Sequence, residues 1–393
     1  MGKKTVLILT GQYGEGHKQA AFALQKAVEQ YDSAVRTVIL DPAAYAHPTV
    51  EKMLRHLFIG GVKRFPTLYH YIYQKTRGNN PASALLKINN YLGLNKLLKK
   101  IDELNPAVIV STCPVASGMI SILKKNEAID QPLVTVITDY SAHNYWVYPG
   151  TDVYLVGSAK VKKDLQRMDI ADANIIPTGI PIDAKFTKAY QRDELLDKHA
   201  LEKDMPTVLI SGGGYGLIGK GASIISMLEA MPFKMQVMIV CGYNRKMYEQ
   251  LKEEIHTSKH RILLKGYVDH IEELMAVSDL MITKAGGLTI TEAMAMNIPM
   301  VLFPAIGGQE FDNTQFVLEM QAALLADDAQ DLCRKTAQLM TDKELYLSLK
   351  NHAKQLQHTH AAADAAKIIM NLFPGETLSQ PAELQSLWES AVH

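Results

Sequence analysis

Along this chain, short apolar runs alternate with longer stretches in which apolar residues recur at helical spacing. That alternation predicts a mainly parallel sheet with helices on both faces. In the first half the runs Thr5–Thr10, Val35–Leu40, Ala107–Ser111, Leu133–Thr138 and Val153–Val156 read as strands. A second series comprises Thr207–Ser211, Met235–Val240, Ile262–Lys265, Leu280–Thr283 and Pro299–Phe303. The charged stretch Lys185–Met205 carries no strand, so the domain joint is placed there. The α/β reading is therefore two doubly wound, Rossmann-like domains: residues 1–190, completed by a C-terminal helix at about 376–393, and residues 191–375. The expectation for that last helix rests on "SQPAELQSLWESAVH", where Pro381 opens a segment with Leu384, Leu387 and Trp388 at helical spacing.

Composition narrows the function classes. At 393 residues, 47% of them hydrophobic, the chain has material for two cores, since a single core stops growing near ~250–300 residues. Basic and acidic residues balance at 41 each, which argues against a globally basic nucleic-acid binder. Cys113, Cys241 and Cys333 are dispersed and show no C-x-x-C spacing, so neither a disulfide framework nor a zinc site is expected. The apolar run after Lys3-Lys4 is too short for a signal peptide, and no run reaches the ~18 residues needed to cross a bilayer. A cytoplasmic protein is expected.

Two glycine-rich turns carry the chemistry. In "LILTGQYGEGHKQAAFALQKAV" a strand runs through Gly14 and Gly16 into a helix that opens with His17. Glycines there let a ligand approach the backbone, and the helix start offers N–H groups to a polar partner. One reading is a dinucleotide site, with Asp41 as the ribose acid, but Gln19 replaces the third glycine. Another makes His17 a general base; a third leaves it as a helix cap. In mid-chain "LISGGGYGLIGKG" repeats the arrangement with Gly212, Gly213, Gly214 and Tyr215, and Gly242 follows the next strand. Then "ITKAGGLTITEAMAMNIPMVLFP" places Gly286 and Gly287 after a strand, with Thr289 and Glu292 in the helix beyond. A carboxylate such as Glu292 can accept from both ribose hydroxyls of a nucleotide whose diphosphate lies on the turn, although a lone helical glutamate is more often merely solvated. "PAIGGQEFDNTQFV" adds Gln309, Glu310 and Asn313, all suited to sugar hydroxyls.

The G-x-G-H turn, the Ser-Gly-Gly-Gly turn, Gly-Gly-x-Thr-x-x-Glu-Ala and Gly-Gln-Glu-x-x-Asn occur here in the order found in the monogalactosyldiacylglycerol synthase and processive diacylglycerol glucosyltransferase group, which this chain resembles from about Thr5 to at least Val317. The resemblance implies a GT-B fold: the acceptor binds the N-terminal domain, the UDP-sugar binds the C-terminal one, and the last helix crosses back. It implies inverting transfer with no cofactor and no active-site metal, and the sequence holds no Asp-x-Asp of the metal-binding kind. It makes His17 a residue near the reacting centre and Glu292 the ribose ligand. It also places Gln309, Glu310 and Asn313 in the segment that contacts the donor sugar. "ITDYSAHNYWV" resembles the family's Thr-Asp strand end, giving Asp139 an acid/base or ligand role, with His143 and Trp146 close behind. One position departs: plant members have an aspartate in the first turn where this chain has Gln12, which leaves His17 or Asp139 as the base.

Residues 51–100 contain ten Lys or Arg and one Glu, interleaved with Phe58, Phe65, Tyr69, Tyr71 and Tyr73. Such a segment suits an anionic bilayer, where each basic residue near the surface contributes about 1 kcal/mol; Lys63, Arg64, Lys75 and Arg77 are the candidate contacts. The plain alternative is a pair of solvated helices over an aromatic core. Single-stranded nucleic acid would also suit the pattern, but nothing else in the chain supports it. The expected function is transfer of a hexose, glucose or galactose, from a UDP-hexose to diacylglycerol on the inner face of the membrane. The rivals are a cell-wall lipid-intermediate N-acetylglucosaminyltransferase, a UDP-sugar epimerase and a UDP-sugar sensor without turnover.

Overall fold

The computed structural model describes residues 4–12, 14–78, 80–214, 224–304 and 307–374. The chain forms two compact units: Met1–Ala184 with Ile306–Gln309 and His360–His393, and Lys185–Ala305 with Glu310–Thr359. In the first unit β1 (Thr5–Leu9), β2 (Arg36–Leu40), β3 (Val108–Ser111), β4 (Leu133–Val136), β5 (Val153–Leu155) and β6 (Ile175–Ile176) lie in the order β2-β1-β3-β4-β5-β6. All pairs are parallel, with Leu7 opposite Val38 on one side and Ile109 on the other. β1, β3, β4 and β5 are buried along their whole length, as expected of strands covered by crossover helices on both faces.

The helix Glu15–Tyr31 follows β1 and buries Ala20, Ala21, Ala23, Leu24 and Val28. Its partner is the helix Ala361–Asn371, whose Ala365, Ala366, Ile368 and Ile369 join the same core. Alanines on both helices let the backbones come close, and this packing ties the chain back to the first unit from His360 onward. The return expected at about 376–393 lies outside the described residues, and the described return is the earlier alanine-rich helix.

The second unit holds β7 (Thr207–Ser211), β8 (Gln236–Val240), β9 (Arg261–Lys265), β10 (Leu280–Thr283), β11 (Met300–Leu302) and β12 (Ala323–Leu325), ordered β12-β11-β10-β7-β8-β9. Again every pair is parallel. Its core is aliphatic, from Val208 and Ile210 to Val237, Ile239, Ile282 and Val301. β6 and β12 are the two strands that the apolar pattern did not mark; each sits at a sheet edge and is too short to show a period.

In both sheets the strand order reverses beside the first strand, between β1 and β3 and between β7 and β10. Loops at the carboxyl ends of such strand pairs diverge to opposite faces and leave a crevice, where doubly wound proteins bind ligands. His17 and Gly14 lie at the first reversal, and Gly212–Gly214 and Gly286-Gly287 at the second.

Candidate active site

In the first unit, the helix Glu15–Tyr31 starts with Gly14 as its extended N-cap, and a Cβ added at Gly14 would meet nothing within 4 Å. There is room above the turn, as a bound ligand requires. His17, in the first turn, brings Nδ1 to 2.9 Å from Thr138 Oγ1 just beyond β4. Its carbonyl accepts from Thr112 Oγ1 at 2.8 Å, just beyond β3. Trp146 closes the group, its ring edge-on to His17 at 5.8 Å. Desolvation pushes the His17 pKa down to about 4, partly opposed by a hydrogen bond to the Thr112 main chain. The imidazole is therefore neutral at neutral pH. Asp139 follows Thr138 directly and is half-buried.

Other expectations for this half change. His143 was a candidate acceptor contact, but its ring is 4% exposed. Its Nδ1 accepts from Tyr145 N at 3.0 Å, Nε2 lies 3.0 Å from the Tyr73 carbonyl, and the ring packs on Tyr73 at 4.4 Å. Both nitrogens have partners inside the protein, and through the Tyr73 carbonyl His143 ties down the helix Pro66–Lys75. Asp41, the ribose acid of the dinucleotide reading, caps the helix Pro42–Ala46 through Ala44 N at 3.0 Å; burial raises its pKa. Gln12, at the variant position, accepts from Arg55 Nη1 at 2.6 Å. Gln309, which belongs to this unit, accepts through Oε1 from Tyr69 Oη at 2.6 Å. Thr112 was not singled out in the sequence, and Thr138 entered only as the threonine of the Thr-Asp strand end in "VTVITD".

In the second unit Gly213 (φ +70) turns the chain after β7. Gly242 (φ +55) lies against it, and Tyr243 N donates to the Gly214 carbonyl at 2.8 Å. Tyr215 lies outside the described residues. After β10 the chain passes Lys284 and Gly286 into the helix Gly287–Ala295, which carries Thr289 and a half-buried Glu292. Thr291 donates to the Gly287 carbonyl at 2.7 Å and is absorbed by its own helix. Glu310 pairs with Lys284. Asn313 is fully buried and its amide donates to the Ala285 carbonyl at 3.1 Å, so it holds the turn after β10 in place. The sequence reading missed Lys284 and an exposed, stacked ring pair, Tyr243 and Tyr267, with centroids 4.4 Å apart. Each tyrosine follows a glycine just past a strand end, β8 or β9.

The basic segment folds as the helices Pro48–Arg64, Pro66–Lys75, Pro81–Leu86 and Leu94–Leu104, with a short 3-10 helix at Lys87–Tyr91. Arg64 and Lys75 are exposed and lie near the rings of Phe65 and Tyr71, while Arg77 is half-buried; of Lys63 only the backbone is described. Met53, Leu57, Phe65, Leu68, Tyr71 and Ile72 are all more than 40% exposed. A groove of about 550 Å³ lies between Tyr71, Ile72, Lys75, Thr76, Asn80 and Pro81. No helix among the described residues is long and apolar enough to cross a membrane.

Comparison with known proteins places both halves. Residues 17–182 match the monogalactosyldiacylglycerol (MGDG) synthase family, and residues 208–371 match the glycosyltransferase family 28 C-terminal domain. A processive diacylglycerol beta-glucosyltransferase of Staphylococcus aureus (strain bovine RF122 / ET3-1) is 30% identical over 97% of this chain and 95% of its own length. One from Bacillus thuringiensis (strain Al Hakam) is 29% identical over 91% of each. Among solved structures, Acinetobacter baumannii MurG aligns with a TM-score of 0.61 at 16% identity, over 94% of this chain and 99% of its own. The UDP complex of S. aureus MnaA aligns with a TM-score of 0.62 at 15% identity, over 95% and 98%. These two likenesses concern the fold, which is GT-B.

Proposed function

This chain belongs to the family of processive diacylglycerol β-glucosyltransferases, and from that premise we propose that it moves glucose from UDP-glucose to diacylglycerol at an anionic membrane surface. It is a UDP-sugar-dependent hexosyltransferase that acts on diacylglycerol. Glucose as the sugar, the membrane seat and the residue roles are the proposal. The observation that carries the roles is a neutral histidine at the strand-order reversal of the first sheet, anchored through Nδ1. When Nδ1 donates to Thr138, Nε2 keeps its lone pair and can take a proton.

In the reaction the acceptor oxygen forms a bond to the anomeric carbon as the bond from that carbon to the diphosphate oxygen breaks. UDP leaves with the electron pair, and the hydroxyl proton passes to Nε2 of His17. Inversion at an α-linked donor yields a β-linked lipid. Asp139 orients the imidazole or stabilises the imidazolium. Donor binding falls to the second unit: the glycine turns for the diphosphate, Glu292 for the ribose hydroxyls, and the Tyr243–Tyr267 pair as a flat face for the base. Incubation with UDP-glucose and diacylglycerol in mixed micelles should give a β-glucosyl lipid. Conversion of the UDP-sugar in lipid-free solution, with no glycolipid formed, would instead identify an epimerase.

The membrane seat is supported by the exposed apolar residues of Pro48–Lys75 and the cations beside them. Neutralising Arg64 and Lys75 together with Lys63 and Arg77 should weaken binding to anionic vesicles and leave UDP affinity intact. The difference should shrink toward 1 M salt, where the Debye length is ~3 Å. Equal vesicle binding by variant and parent at low salt would leave these helices as ordinary solvated surface.

A further inference from the structure

We propose that Lys284 is the cation that receives the donor's diphosphate, and that Glu310 holds this lysine in the donor-free enzyme and yields it when the diphosphate arrives. The proposal rests on the reading of the second unit as the donor half and assigns the charge partner that this reading lacks.

Four observations converge. Lys284 stands directly after β10, beside β7, where the strand order of the second sheet reverses. Its stem lies over the first donor turn: a Cβ built on Gly213 would meet Lys284 Cε at 3.6 Å and Thr289 Oγ1 at 4.0 Å. Thr289 Oγ1 is also 3.6 Å from a Cβ built on Gly286, so the lysine and one hydroxyl flank both glycine turns. The Lys284 ammonium is paired with Glu310, and the two side chains are 19% and 18% exposed. Finally, Glu310 Oε2 is buried and has no hydrogen-bond partner among the described residues.

That last point decides what the pair is for. Taking two charges out of water is costly, and the cost is recovered only when the remaining lone pairs are satisfied. Here one carboxylate oxygen is left over, so the pair is poorly built as a stabilising contact. It is well built for exchange. A diphosphate carries more negative charge than a carboxylate and competes for the ammonium, and the unused Glu310 oxygen can accept from a hydroxyl of the transferred sugar. As the bond from the anomeric carbon to the diphosphate oxygen breaks, the bonding pair stays on that oxygen. The attraction of Lys284 therefore grows toward the transition state.

The test compares UDP with uridine, which lacks phosphate. Lys284→Gln should weaken UDP binding by about tenfold or more, the loss of a charge-assisted contact, while uridine, measured by competition at high concentration, binds as to the parent. Lys284→Arg should keep much of the UDP affinity. Glu310→Gln should bind UDP more tightly than the parent and yet transfer glucose more slowly. Equal losses for UDP and uridine in Lys284→Gln would mark a folding role and overturn the proposal. So would unchanged UDP binding in that variant. If Lys284→Gln does not fold, Glu310→Gln decides, because unchanged or weaker UDP binding there excludes the exchange. A parent chain that binds no UDP would remove the donor reading itself, whereas a parent that binds UDP alongside an unaffected Lys284→Gln removes the role of Lys284 and leaves the donor reading standing.

Discussion

His17→Ala is expected to lower turnover by roughly 10²–10⁴-fold while UDP binds as before, the range for losing acid-base catalysis. A neutral alcohol is a poor nucleophile, and its proton must leave as the glycosidic bond forms. His17 is held for this by Thr138 at 2.9 Å and by the edge of Trp146. The pH profile gives a second check. With the His17 pKa lowered from 6.5 to about 4, its base form persists in the folded enzyme far below neutrality. The acid limb of kcat/KM set by His17 should thus lie near pH 4, and a limb centred near 6.5 would be inconsistent with this site. The sign for stability follows from the same shift: the unfolded chain takes up the proton first, so the contribution of His17 is intact above about pH 6.5 and is lost as the pH falls toward 4. Asp139→Asn separates the two carriers, since a greater loss of turnover there than in His17→Ala would make the aspartate the base. Near-normal turnover in His17→Ala would leave the histidine as a helix cap.

The strands and the glycine turns were legible because both are local signals: apolar runs long enough to show, each closed by glycines that the chain needs in order to turn. β6 and β12 were not, being short edge strands. Side-chain partnership was the harder part. His17 and Thr138 are 121 residues apart, and nothing in the spacing of either announces the other. His143 shows the converse, a histidine in a suggestive position whose ring nitrogens meet Tyr145 and Tyr73 inside the protein. Lys284 passed unnoticed because a single lysine between a strand and a glycine pair has no period. Its meaning comes from Glu310, which is distant in sequence, and from the Gly213 turn. The alanine-rich returning helix was hidden for a related reason: the face of Ala361–Asn371 looks weak alone and becomes a good packing surface only against Ala21, Leu24 and Val28.

Gly242→Ala should abolish most of the UDP affinity, because the donor turn depends on how closely two backbone segments approach. Gly242 has φ +55, a left-handed conformation that costs an L-residue roughly 1–2 kcal/mol. The larger obstacle is space. A Cβ there would lie 2.2 Å from the Gly214 carbonyl oxygen, 2.8 Å from its carbon and 2.9 Å from the Gly213 oxygen. These are backbone atoms, so no side chain can swing aside, and the turn after β7 must be pushed away from β8. That movement would break the hydrogen bond from Tyr243 N to the Gly214 carbonyl and displace the main chain proposed to hold the diphosphate. Gly14→Ala is the matching control in the other unit, since its backbone is extended (φ −167) and its Cβ would meet nothing within 4 Å. Calorimetric titration of UDP into both variants, with circular dichroism to confirm folding, should show weakening by more than tenfold in Gly242→Ala, about 1.4 kcal/mol or more, and none in Gly14→Ala. A folded Gly242→Ala that binds UDP like the parent would mean that the donor does not use this turn.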